Sequence, residues 1–193
     1  MTDKPLPEDV FFSTRREWEA WLRRNHASSD GVWVRFARKA SGIKSLTYEE
    51  ALEVALCYGW IDGQARGMDE RYTLQRWTPR RARSVWSKRN RERAERLIAE
   101  GKMKPAGLRE VERAKVDGRW DAAYDSPSTA TVPEDLKRAL KRNAGARRAF
   151  EGLDARNRYA ILHRLMTARK PETRARRIER FVAMLAEGRK PYP

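Results

Sequence analysis

Between Tyr58 and Asn90 the chain concentrates residue types able to bind or move charge: the aromatic residues Tyr58, Trp60, Trp77 and Trp86, a carboxylate at Asp62, and the run RWTPRRARSVWSKRN. Arg80, Arg81 and Arg83 precede a predicted helix start at Ser84, where free backbone N–H groups and the helix dipole favour an anion. Ser84 and Ser87 add hydroxyl donors, Asn90 lies about one turn further on, and Trp86 offers a flat apolar wall. In that reading a phosphate or carboxylate takes a fork of donors from Arg80, while Asp62 holds the arginine in place. The candidate ligand-binding set is therefore Trp60, Asp62, Arg80, Arg83, Ser84, Trp86, Ser87 and Asn90. Two plainer roles stand beside it. An Asp-Gly pair between strands is the usual sequence of a tight hairpin turn, which would occupy Asp62 with its own backbone. A basic helix end can also simply be solvated, with Trp86 in the core.

Other chemistry is sparse. His26 and His163 stand without the partners at i+3 or i+4, or the cysteine pairs, that a zinc site needs, so no metal is expected. The chain has no G-x-x-x-x-G-K-[ST], G-x-G-x-x-G, G-x-S-x-G or H-E-x-x-H motif, and no cofactor is expected either. No catalytic residue is assigned. An enzyme acting on a small anionic substrate therefore stands beside a resistance or interaction protein and a nucleic-acid-binding module as competing classes.

The elements that must position these residues follow from period and punctuation. Residues 1–12, with Pro5 and Pro7, read as an extended lead-in anchored by Phe11 and Phe12. Thr14 and Glu17 form a capping box for a first helix with Trp18, Trp21 and Leu22 on its apolar face. VWVRFAR, from Val32 to Arg38, reads as a strand. Thr47 and Glu50 open a second helix that must stop at Gly59. Trp60-Ile61-Asp62 and Tyr72–Thr78 then pair as strands, Pro79 ending the second. A third helix is expected from Ser84 to Glu100, and a fourth from Pro105 to Gly118. Small and polar residues mark a linker at 121–132, and helical patterns follow from Pro133, with Ile178, Phe181, Val182 and Leu185 forming an i, i+3, i+4, i+7 stripe in the last. The predicted class is α+β: a small antiparallel sheet backed by helices over 1–120, a linker at 121–132, and a C-terminal helical module over 133–193.

A chain of 193 residues with 40% hydrophobic residues and seven tryptophans can bury a real core, which excludes wholesale disorder. Lys and Arg total 43 against 27 for Asp and Glu, a net charge of +16 that favours anionic partners. The expected partners are a small anionic ligand and weak, nonspecific contact with nucleic acid or an anionic membrane surface; no protein partner is indicated. The single cysteine, Cys57, precludes an internal disulfide, and no apolar run approaches the ~20 residues of a membrane helix, so the expected location is cytoplasmic.

Four stretches of the first part, ALCYGWIDG (Ala55 to Gly63), RWTPRRARSVWSKRN (Arg76 to Asn90), LIAEGKMKPAGL (Leu97 to Leu108) and KVDGRW (Lys115 to Trp120), resemble the YdeI/OmpD-associated family, also called bacteriocin-protection or OmdA proteins. VPEDLKRAL (Val132 to Leu140), AFEGL (Ala149 to Leu153) and ETRARRIERFV (Glu172 to Val182) resemble that family's helical tail. The resemblance implies a bacterial protein linked to stress, to tolerance of cationic antimicrobial peptides or bacteriocins, and to an outer-membrane porin. The family pattern coincides here with Trp60, Asp62, Pro79, Arg80, Ser84, Trp86, Ser87 and Asn90, and it carries over no catalytic residue.

Overall fold

A computed structural model describes residues 9–193, so the prolines of the lead-in lie outside the described residues. The chain divides into two compact units: one runs to Ser84 and resumes over Glu92–Trp120, and the other takes Val85–Arg91 together with Asp121–Pro193.

The first unit is α+β. Its strands are β1 (Asp9–Phe11), β2 (Val32–Ala37), β3 (Trp60–Gly67) and β4 (Tyr72–Pro79), in sheet order β1-β2-β4-β3. The β2–β4 and β3–β4 pairs are antiparallel as expected, whereas β1 joins β2 in parallel and makes the sheet mixed. Three residues of the lead-in are too few to show a period in sequence, so the pairing of Asp9 with Trp33 was not readable from pattern alone.

Helices α1 (Arg15–Asn25), α2 (Tyr48–Cys57) and α4 (Pro105–Val116) belong to this unit. Thr47 and Glu50 exchange the full predicted capping box, whereas at α1 only half of the predicted box forms: the Thr14 hydroxyl accepts the Glu17 N–H at 3.3 Å, but the Glu17 carboxylate takes the Ser13 N–H at 2.7 Å. The α1 tryptophans meet the sheet as an aromatic core. Trp18 stacks on Trp21 with centroids 5.4 Å apart and tilts against Trp77 at 5.9 Å, while Trp21 meets Trp60 edge-on at 5.7 Å. Two indole N–H groups are satisfied by backbone, Trp18 donating to Ala51 O and Trp60 to His26 O, each at 3.1 Å.

Gly59 stops α2 as predicted, with φ +74°, a conformation that strains any residue carrying a Cβ. Gly107 lets α4 approach the end of α2: a Cβ there would lie 2.4 Å from Cys57 O and 2.6 Å from Leu56 O.

Asp62-Gly63 is not the hairpin turn. β3 continues to Gly67 with a bulge between Asp62 and Ala65, and the chain turns at residues 68–71, where the Asp69 carboxylate accepts the N–H groups of Arg71 and Tyr72 at 2.7 and 2.8 Å. The third helix, α3 (Lys88–Ala99), also starts later than expected. The Ser84 hydroxyl is spent on the Arg81 N–H at 3.1 Å in a turn closed by Ser84 N–H to Arg81 O. Ser87 instead accepts the Asn90 N–H at 3.2 Å, the bond an N-cap makes.

The second unit is helical: α5 (Glu134–Lys141), α6 (Ala144–Glu151), α7 (Ala155–Met166) and α8 (Pro171–Ala186) enclose Leu136, Leu140, Phe150, Ile161, Leu165, Ile178, Phe181 and Leu185. The predicted α8 stripe lies in this core, with Val182 packed at its edge. Asn143 and Asp154 cap α6 and α7 by accepting from Ala146 and Asn157. Residues 121–132, read as a linker, are tied into the unit. Tyr124 exchanges backbone bonds with Trp86 and Lys88, Lys88 pairs with Asp125 at 2.7 Å, and the Tyr159 hydroxyl donates to Asp125 O at 2.8 Å.

Candidate functional site

The eight residues singled out in sequence divide between the units: Trp60, Asp62, Arg80, Arg83 and Ser84 lie in the first, and Trp86, Ser87 and Asn90 in the second. Trp60 and Trp86 are each 1% exposed, which makes them packing residues. Ser87 and Asn90 are brought together, as the cap of α3. Arg83 is exposed, while Arg80 is buried and its backbone N–H donates to Gly59 O at 2.9 Å.

The expected Asp62–Arg80 pair does not form. Among the described residues Asp62 takes its hydrogen bond from the Tyr48 hydroxyl at the start of α2, at 3.0 Å, while still in register with Trp77. Burial first, and then the Asp62 charge and hydrogen bond, hold the Tyr48 hydroxyl well above the ordinary tyrosine value, so it remains a donor. The arginine loop is braced by a residue that sequence reasoning passed over. Arg119, 2% exposed, donates through Nε to both Asp117 oxygens at 2.8 and 2.7 Å and through a terminal nitrogen to Ser84 O at 2.8 Å. An arginine two residues after an aspartate in KVDGRW was the available signal, but its burial depends on the fold.

The first unit does contain a basic concavity, at a different place from the expected one. A cavity of about 490 Å³ opens between the ends of β2 and β4 and the segment 38–48, with Phe36 and Leu74 among its apolar lining and Lys39, Lys44, Ser45, Thr47 and Tyr48 among its polar lining. No aspartate or glutamate lines it. Among the described residues neither the Lys39 nor the Lys44 ammonium is in an ion pair, whereas Arg38 is committed to Asp69 O at 2.9 Å. Ser45 is held in place by accepting the Ala37 N–H at 3.1 Å. At its margin the Tyr48–Asp62 bond and the buried Gln75, whose amide donates to Gly63 O at 3.0 Å, fix the bulge of β3. The lysines of KASGIK were legible in sequence, yet nothing in their spacing placed them around a cavity.

The remaining ionisable groups of this unit are structural. Burial opposes ionisation of Glu53, but hydrogen bonds from Arg15 and Arg96 outweigh it and hold the carboxyl below its ordinary value. Burial pushes the Cys57 thiol up to about 11, which leaves it protonated and unreactive at neutral pH. Among the described residues no group of three or more His, Cys, Asp or Glu is placed to hold a metal ion, and no helix is long and apolar enough to cross a membrane.

An α+β unit with a basic cavity and a helical unit built on α5 to α8 thus define the chain, and comparison with known families agrees with the division. Residues 10–110 match the model of a domain of unknown function, DUF8412, and residues 129–188 match that of the Bacteriocin-protection, YdeI or OmpD-Associated family, OmdA. The chain belongs to the DUF8412 family through its first unit and is a YdeI/OmpD-associated protein through its helical one. No curated protein and no solved structure matches it.

Proposed function

We propose that the chain is a cytoplasmic protein of the bacteriocin-protection type that works by binding a small anion in the basic cavity of its first unit. The observation that carries this reading is the pair of ammonium groups, Lys39 and Lys44, outside any ion pair among the described residues and lining a cavity with no carboxylate in its lining. Unneutralised cations beside low-dielectric walls concentrate anions, and here the two ammonium groups carry the binding, since the Ser45, Thr47 and Tyr48 hydroxyls already donate to Leu46 O, Glu50 and Asp62. The arginine loop at 80–84 acts as scaffold, braced by Arg119. Cys57, buried and unpaired with another cysteine, accords with a reducing compartment.

Calorimetric titration with phosphate, sulfate and small carboxylates tests the reading. Lys39→Ala and Lys44→Ala are each expected to weaken the bound anion about tenfold, since a charge-assisted hydrogen bond is worth roughly 1.5–3 kcal/mol. Arg83→Ala leaves the affinity unchanged. If Arg80→Ala or Arg83→Ala abolishes binding while the lysine variants bind normally, the anion sits at the arginine loop instead. Residues 134–193 carry 17 basic against 7 acidic residues, which favours nucleic acid as a second reading. That association should collapse by orders of magnitude between low and physiological salt.

A further inference from the structure

The second unit has a cavity of its own, on the face of α7 turned away from the unit's core. Core residues Ile161, Leu162 and Leu165 occupy one side of that helix, and Ala155, Arg156, Tyr159, Ala160, His163 and Arg164 line a cavity of about 550 Å³ on the other. The two alanines give it depth. Its walls are the Tyr124 ring, which meets the His163 ring edge-on at 4.6 Å, and the Tyr192 ring, contributed by the end of the chain.

The walls are built rather than incidental. The Tyr192 N–H donates to Asn157 Oδ1 at 2.8 Å, and Asn157, 2% exposed, is itself fixed by Asp154 at 2.8 Å. Tyr159 is fixed by its bond to Asp125 O. The Arg156 and Arg164 guanidinium carbons lie 4.5 and 5.8 Å from the Tyr192 centroid, and among the described residues neither guanidinium is in an ion pair. A guanidinium placed over a ring keeps its edge N–H groups available to an anion. No carboxylate lines the cavity. Burial, and then the Arg164 and Arg177 charges, hold His163 below its ordinary value, so its ring is neutral at neutral pH and leaves anion binding to the arginines.

We propose that this cavity binds an aromatic anion of the nucleoside monophosphate class, with the base against the tyrosine and histidine rings and the phosphate on Arg156 and Arg164. Its volume lies within the ~300–1,000 Å³ of ordinary small-ligand sites. Ring stacking is sequence-tolerant and favourable for any base, and guanidinium groups supply the forked donors that phosphate oxygens accept. A bare anion would leave the ring walls unused, and a neutral aromatic would leave two cations unpaired. The site is independent of the basic cavity in the first unit.

The test is calorimetric titration of the full chain with AMP, adenosine and inorganic phosphate. AMP is expected to bind at least about tenfold more tightly than either fragment. Arg156→Ala and Tyr192→Ala should each weaken AMP about tenfold or more, Tyr192→Phe should retain it, and Lys44→Ala, in the first unit, should leave it unchanged. Arg156 is exposed and Tyr192 is the penultimate residue, so both variants can be checked for an unaltered thermal transition before titration. AMP binding no tighter than phosphate, wild-type affinity for AMP in Arg156→Ala or Tyr192→Ala, or loss of binding in Lys44→Ala would each overturn the proposal.

Discussion

In the first unit Trp18, Trp60 and Trp77 are at most 1% exposed and interlock across α1 and the sheet, whereas in the second unit Tyr124, Tyr159 and Tyr192 stay partly exposed around an open cavity. Arginine follows the same division. Arg80 and Arg119 are buried in the first unit, and Arg156 and Arg164 are exposed in the second. Aromatic and basic residues close together in sequence therefore mark scaffold in one unit and a ligand-sized cavity in the other. What separates the cases is burial: the tryptophans and Arg80 and Arg119 are enclosed by packing, whereas the tyrosines and Arg156 and Arg164 keep surface open to a ligand.

The comparison breaks most severely if the tryptophan cluster is not structural. Trp18→Ala should cost about 3–5 kcal/mol, the range for deleting a fully buried large aromatic, read as a fall in the denaturant midpoint of the first unit. A loss below about 1 kcal/mol would mean that the cluster is dispensable and that the contrast with the tyrosines is false. Arg119→Ala comes next, at about 2 kcal/mol, since it removes the donor to the Ser84 carbonyl and the charge-assisted bonds to Asp117. Faster amide exchange at Ser84 in that variant would show that Arg119 holds the loop, and unchanged exchange would remove it from that role.

The smallest effect concerns the second unit. Arg174 donates to both Asp135 oxygens, at 2.5 and 3.0 Å, and these hydrogen bonds hold the Asp135 carboxyl below its ordinary value. A depressed folded-state value stabilises above the unfolded carboxyl value of about 3.9 and is lost as pH falls through the folded one. Asp135→Asn should therefore cost about 1 kcal/mol at pH 7, a figure discounted for partial exposure. The gap from wild type should close in strong acid. A gap that stays constant with pH would mean that the loss comes from packing and not from charge.

Much of the fold was legible because its signals are local. The N-cap at Thr14, the capping box at Thr47, the left-handed stop at Gly59 and the stripe from Ile178 to Leu185 each need only a few neighbouring residues to be read. The start of α3 was misplaced because Ser84 and Ser87 have the same capping chemistry, and only the turn that consumes Ser84 decides between them. The Asp-Gly signal misled for a related reason: a bulge and a hairpin turn both accept that pair, and the turn formed at Asp69 instead. The site was least legible, because both cavities join residues far apart in sequence, Lys44 with Leu74 in one and Tyr124 with Tyr192 in the other.

The central claim, that the first unit takes a small anion at Lys39 and Lys44, is tested most directly by a ¹⁵N-edited NMR titration of the full chain with phosphate. The amides of residues 38–48 should shift together and saturate in the wild type and should barely move in Lys44→Ala, while the amides of residues 80–84 stay in place in both. Saturating shifts at 80–84 with 38–48 unmoved, or a linear drift shared by all exposed basic segments, would contradict it.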